Sequence, residues 1–178
     1  MNLWFEFLVG FWVIFPAYIA NGLAPVAKGK RRMDFGKTFY ENELFGAGKT
    51  WEGFLFGIFC GTIFGILQIF SHSYLNSIAI EYGFVLPKLS LLSVIFISFG
   101  AMFGDLVGSF IKRRMNLERG KSSPLLDQLD FVFGAFFFAL FFLYVSPTAI
   151  LLIIVFTPFV HLAACFIGYE IGIKEVPW

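Results

Sequence analysis

Residues 51–70 read WEGFLFGIFCGTIFGILQIF. After Glu52 the stretch holds no charged side chain, and a helix crossing a bilayer needs about 20 mostly apolar residues. Its glycines, Gly53, Gly57, Gly61 and Gly65, recur every fourth residue. Residues four apart share one helix face, so they form a smooth groove along which another helix can approach closely. A second ladder, Gly100, Gly104 and Gly108, occupies a later apolar run. The two ladders predict that the second and third helices cross closely, meeting near Lys49-Thr50 and Gly108-Lys112.

The rest of the chain agrees with a membrane class. It has 178 residues, of which 58% are hydrophobic and only 14% charged. A soluble domain of this length needs a more polar exterior. The expected fold is an all-α integral membrane protein forming a single domain over residues 1–178. Five transmembrane helices are expected at about 3–20, 52–70, 89–111, 130–145 and 147–169. Ser146-Pro147 divides the last two as a tight hairpin, with proline opening the fifth helix. The N-terminal run lacks a basic lead and a small-residue cleavage site, so it reads as a retained helix. Cys60 and Cys165 lie in apolar runs and read as buried small hydrophobes.

Of the thirteen basic residues, all but Lys88 fall on one side of this arrangement. They sit in loop 21–51 (Lys28, Lys30, Arg31, Arg32, Lys37, Lys49), in loop 112–129 (Lys112, Arg113, Arg114, Arg119, Lys121) and in the tail at Lys174. The positive-inside rule places both loops and the C-terminus in the cytoplasm of a multi-pass cell-membrane protein, with the N-terminus outside.

The polar residues of that side suggest a site. Asp105 lies inside the third span, and an ionisable residue there is a functional candidate; an internal salt bridge with Arg113 or Arg114 is the alternative. Asp127 and Asp130 are spaced to share a helix face. Close carboxylates repel unless a cation lies between them or one is protonated. The economical cation is Mg²⁺, held by Asp105, Asp127 and Asp130 and completed by substrate phosphates and water. Helix capping is the alternative for the pair.

The stretch GAGKTWEG, residues 46–53, resembles the end of a phosphate loop but has Glu43 where the first glycine belongs. Gly46 and Gly48 allow close backbone approach, Lys49 brings a charge, and the N–H groups of a helix start point at an anion. Here the alternative is an interfacial lysine beside a Thr50 cap. Asn21-Gly22 reads as the turn ending the first helix, with Asn21 either a ligand contact or a cap. His72, in the outer loop, and His161 read as structural. Together these residues describe a membrane enzyme handling a nucleotide and a phospholipid at the cytoplasmic face. A small ion transporter built on Asp105 is the rival, but it predicts polar groups through the midplane and half-chain repeats, and neither is evident.

Four blocks, PAYIANGLAPV, RRMDFGKTF, FGAGKTWEG and GSFIKRR…SPLLDQLDF, occur in the order seen in archaeal CDP-archaeol synthases, which the chain resembles along nearly its whole length. It also resembles the broader CDP-diacylglycerol synthase signature at Ser109, Lys112-Arg113, Asp127 and Asp130. Gln128 replaces that group's arginine, which points to the archaeal branch rather than to an enzyme acting on phosphatidic acid. The resemblance implies CTP and a polyprenyl ether-lipid phosphate as substrates, with membrane lipid around them and no nucleic-acid or protein partner. The lipid phosphate would attack the α-phosphorus of CTP and release pyrophosphate. Catalytic candidates are Asp105, Asp127, Asp130, Lys112 and Arg113; nucleotide-binding candidates are Asn21, Lys37, Gly46, Gly48, Lys49 and Thr50.

Overall fold

The computed structural model describes residues 2–117 and 123–170. Arg119, Lys121 and Lys174, part of the expected basic face, lie outside the described residues, as do the side chains of His161 and Cys165. Among the described residues five α-helices form a bundle: α1 (Leu3–Leu23), α2 (Trp51–Glu81), α3 (Leu91–Arg114), α4 (Pro124–Ala139) and α5 (Pro147–Glu170). Among the described residues three of them, Leu3–Ala27 (α1 with its 3₁₀ extension), Trp51–Glu81 and Leu91–Arg114, are by length and composition able to cross a membrane. A buried apolar core joins Val13, Ile14 and Ala17 of α1 to Ile97 and Ala101 of α3, Val132 and Ala135 of α4, and Ala149 and Ile153 of α5. Phenylalanine and leucine cover much of the outside, with Phe70, Phe141 and Leu55 all exposed. This is how a bundle solvated by lipid presents itself.

Several boundaries move from those expected. α1 does not stop at Asn21-Gly22; it continues to Leu23, and a 3₁₀ turn over Ala24–Ala27, with Pro25 near its start, follows. α2 does not end near residue 70. Its 31 residues span about 46 Å, against a hydrocarbon core of about 30 Å. The polar run after Phe70 is helical too, and its hydroxyls are satisfied within the helix: Ser71 Oγ donates to the Gln68 carbonyl at 3.2 Å and Ser77 Oγ to that of Tyr74 at 2.7 Å. His72 and Asn76 therefore lie on α2, where each bonds the backbone of Leu86. The fourth helix starts earlier than expected, with Pro124 in its first turn, and closes at Ala139. Its 16 residues reach only about 24 Å. Pro147 opens α5 as expected, with Ser146 Oγ accepting from Ala149 N–H at 3.1 Å, but residues 140–146 join the two helices where a tight hairpin was expected. Loop 28–50 also contains a two-stranded hairpin, β1 (Thr38–Phe39) with β2 (Asn42–Glu43).

The glycine ladders pack closely, but not against each other. The α2 ladder runs in the groove between α1 and α3. A Cβ built at Gly57 would lie 2.6 Å from Met102 Sδ and 2.8 Å from the Ala20 carbonyl oxygen. One at Gly61 would lie 2.5 Å from Ser98 Oγ and 2.6 Å from the Pro16 carbonyl. The α3 ladder instead faces α4. At Gly100 a Cβ would be 2.5 Å from the Gly134 carbonyl, and at Gly104 it would collide with that of Asp130. The α3–α4 pair is the most extensively packed in the molecule. Glycine on both sides of that crossing, Gly100 and Gly104 against Gly134, explains why α3 selects α4.

Gly57→Leu is expected to lower stability by at least the ~1–3 kcal/mol typical of overpacking, because α1 backbone closes one side of the site. Thermal unfolding in detergent reads this directly. A variant as stable as the parent would contradict the close approach of α2 to α1 and α3.

Candidate functional site

α3 ends in Lys112, Arg113 and Arg114, which suit a helix C-terminus. Asp105, Gly108, Ser109 and Lys112 lie at spacings of three and four, so they share one helix face. α4 crosses that face. The absent side chain at Gly108 makes room for the Asp130 carboxyl: an added Cβ there would lie 2.7 Å from Asp130 Cβ and 2.8 Å from its Cγ. One turn earlier on α4, Asp127 meets Lys112 at 2.5 Å. From the other direction the start of α2 brings Lys49, whose Nζ donates to both oxygens of Asp105, at 2.7 and 2.6 Å.

The result is two lysine–aspartate pairs flanking a third aspartate. Asp130 is buried at 8% exposure. Its Oδ1 accepts from Phe131 N–H at 2.6 Å, and its Oδ2 is buried without a partner. Asp105, Lys49 and Lys112 all act on it electrostatically. An orphaned buried carboxylate oxygen is costly unless something fills the place. Arg113 Nε is likewise buried and unpartnered, and it lies on the side of Gly46.

The structure thus joins Asp105, Asp127, Asp130, Lys49, Lys112 and Arg113 in one region at the basic end of the bundle. It does not converge the three aspartates on a common centre. Among the described residues no three His, Cys, Asp or Glu side chains group closely enough to hold an ion, because Asp105 and Asp127 turn to lysines. Asp105 pairs with Lys49 rather than with Arg113 or Arg114. Asp127 also serves the helix end, its Oδ2 accepting from Ser123 N–H at 3.1 Å.

The expected anion cradle at the start of α2 is changed as well. Thr50 is the N-cap, accepting from Gly53 N–H at 3.2 Å, and Trp51 N–H is taken by the Arg31 carbonyl at 3.0 Å. These amides are therefore engaged within the chain, leaving the Lys49 side chain as the charge offered there. Gly46 is buried and left-handed (φ 95°), whereas Gly48 is exposed with open space at its Cα. Asn21 is half-buried in the last turn of α1, and the Lys37 side chain is exposed.

Sequence reasoning missed the roles of two residues. Arg114 donates to the carbonyls of Phe39 (2.5 Å) and Glu43 (2.7 Å) and lies over the Phe39 and Phe110 rings, so it clamps the hairpin onto α3. Asp34 is buried in the same loop and bonded to Arg32, whose guanidinium holds its carboxyl well below the usual carboxylate range. Since its folded pKa lies below the unfolded value of about 3.9, Asp34 contributes stability that is present at neutral pH and lost as pH falls below that value. The stability gap between parent and Asp34→Asn is expected to narrow below about pH 4, measured by unfolding across pH. A gap constant down to pH 2 would show that the charge plays no part.

A family profile described as CarS-like, CDP-archaeol synthase, matches residues 2–178. A CDP-archaeol synthase from Methanocaldococcus jannaschii is 46% identical over 170 residues, covering 94% of each chain. One from Thermococcus gammatolerans is 44% identical, again over 94% of both. Among solved structures, an intramembrane enzyme for archaeal membrane lipid biosynthesis superposes with a TM-score of 0.75 at 36% identity, covering 89% of this chain and 93% of that one. With the match running essentially end to end over a bundle of the same fold, the chain belongs to the CDP-archaeol synthase family.

Proposed function

We propose that this membrane enzyme transfers a cytidylyl group from CTP to an archaeal ether-lipid phosphate at the basic end of its bundle. The observation that carries the placement is the grouping of Lys49–Asp105 and Lys112–Asp127 around the buried, unpartnered Asp130. A phosphate oxygen of the lipid forms a bond to the α-phosphorus of CTP, the α–β bridging bond breaks, and pyrophosphate leaves with its electron pair. A phosphate monoester is already nucleophilic at neutral pH, so positioning and charge neutralisation suffice. Lys49 and Lys112 exchange carboxylate partners for phosphate oxygens when substrates arrive, and Arg113 offers its unpartnered Nε nearby. Until then Asp127 keeps Lys112 oriented. Exposed Phe103, Val107 and Ile111 stripe the outer side of α3 beside these groups, so a lipid headgroup can reach Lys112 while its tails stay in the bilayer.

Asp130 Oδ2 and Asp105 suit a hard divalent cation, which commonly takes one or two protein carboxylates and completes its shell with substrate phosphates. Mg²⁺ held there would supply charge neutralisation for the triphosphate. The basic end faces the cytoplasm, in keeping with Lys30, Arg31, Lys37 and Lys49 gathering there. A cysteine at exposed Lys30 is expected to react with an impermeant label only from the cytoplasmic side, and one at exposed Glu81 only from outside; equal access from one side would defeat the orientation.

The reaction itself is tested with membranes containing the protein, labelled CTP and either an ether-lipid phosphate or phosphatidic acid. A CDP-lipid with equimolar pyrophosphate is expected, formed preferentially from the ether lipid. Preference for phosphatidic acid would move the chain to the diacylglycerol branch, and ion flux without turnover would favour a transporter.

A further inference from the structure

Asp34 takes no part in the chemistry proposed above, yet it is 2% exposed in a loop whose other residues, Gly46 apart, are exposed or half-buried. Its Oδ1 accepts from Arg32 Nε and Gly36 N–H, both at 2.9 Å. Its Oδ2 accepts from Arg32 Nη2 at 3.0 Å, Gly46 N–H at 3.1 Å and Phe45 N–H at 3.4 Å. The Gly46 carbonyl accepts from Lys49 N–H at 3.1 Å, and the Lys49 carbonyl from Met33 N–H at 2.9 Å. Met33 adjoins Asp34, so the ring closes: carboxylate to Gly46, to Lys49, to Met33 and back. Lys49 leaves this ring with its Nζ on Asp105.

We propose that Asp34 is a positioning residue for nucleotide use, fixing loop 45–49 so that Lys49 is presented to the triphosphate; this rests on the nucleotide reading of the site above. The far end of the loop has its own anchor, because Arg114 of α3 holds the Phe39 and Glu43 carbonyls. The apolar core lies among helices and does not include residues 28–50. Loss of the Asp34 carboxylate therefore releases 45–49 and leaves the hairpin and the bundle in place.

Asparagine is the sharp test because it keeps the shape. Both carboxylate oxygens of Asp34 receive donors, so the amide nitrogen that Asp34→Asn puts in place of one of them faces N–H groups whichever way it turns. Turned toward Gly36 it costs two of the five bonds and turned toward Gly46 three, and either way the charge that strengthens the bonds to Gly46 and Phe45 is gone.

Asp34→Asn is expected to raise the KM for CTP about tenfold, the scale of a lost charge-assisted hydrogen bond. The KM for the lipid phosphate should stay within about twofold of the parent. The effect should vanish without Lys49: Asp34→Asn/Lys49→Ala is expected to match Lys49→Ala in CTP kinetics, a coupling that independent sites do not show. An unchanged CTP KM in Asp34→Asn, an equal rise for both substrates, or additive losses in the double variant would overturn the proposal. If Lys49→Ala itself leaves CTP kinetics unchanged, the nucleotide reading of Lys49 fails first. Should Asp34→Asn not fold in detergent, Gly46→Ala supplies the same test, since it strains a left-handed position in the ring and leaves the carboxylate intact. It should raise the CTP KM selectively and be masked by Lys49→Ala; additive behaviour would overturn the proposal equally.

Discussion

Asp130→Asn is expected to lower turnover by roughly 10²-fold or more, the scale of losing one key electrostatic stabiliser, while the protein remains folded. The Asp130 carboxyl is packed against Gly108 with one oxygen buried and unpartnered. That oxygen adds cost to the bundle when nothing fills its place, so removing its charge should not destabilise the fold and should raise the unfolding temperature slightly. Lower activity together with unchanged or greater stability marks a group retained for function. Asp130→Asn with parental, divalent-dependent turnover would reduce Asp130 to a packing residue. Asp105→Asn is the companion: full activity there would leave its pair with Lys49 as its whole role.

Lys49→Ala should reduce kcat/KM for CTP by about 10- to 100-fold, corresponding to one lost charged hydrogen bond. The Lys49–Asp105 pair is largely buried, with side chains 26% and 20% exposed. Removing the lysine leaves the Asp105 carboxylate without its partner, so Lys49→Ala should also lower the unfolding temperature. The loss in CTP kinetics should therefore be read on protein that is still folded at the assay temperature. Parental CTP kinetics would return Lys49 to an interfacial lysine beside the Thr50 cap.

Much of this arrangement could be read from residue order alone. Apolar runs of sufficient length are strong signals, and so is the gathering of basic residues into two loops. The glycine ladders correctly marked close packing. The α2 ladder faces α3 as expected, through Met102, Ser98 and Val94, and faces α1 as well; the partner of the α3 ladder was not legible, because a groove of glycine fits any helix that brings small residues, and Gly134, a single glycine in a phenylalanine-rich run, decided that it faces α4. The extension of α2 was hidden by SHSYLNS, whose polar side chains look like a loop but bond within the helix or to Leu86. The hairpin was hidden because its turn residues are Tyr40 and Glu41, both left-handed without the usual Asn or Gly.

The candidate site was legible as a set of charges and less so as a geometry. Asp105, Asp127 and Asp130 were found by their cost in or near a membrane. That two of them turn to lysines follows from the position of α2's start and from the crossing at Gly108, neither of which spacing reveals. Asp34 was missed because an acid in a loop rich in lysine and arginine looks like ordinary charge balance. Only burial and five converging donors distinguish it.

The central claim is that Asp130 and Asp105 hold a divalent ion with the nucleotide at the basic end of the bundle. Anomalous diffraction from crystals of the protein grown with Mn²⁺ and CTP tests it most directly. The account predicts a Mn²⁺ peak within about 2.0–2.4 Å of Asp130 Oδ2, the range of hard-cation oxygen ligation, with Lys49 drawn from Asp105 to a phosphate. Mn²⁺ bound only elsewhere, with Asp130 Oδ2 still unliganded and Lys49 still on Asp105 in the presence of CTP, would contradict it.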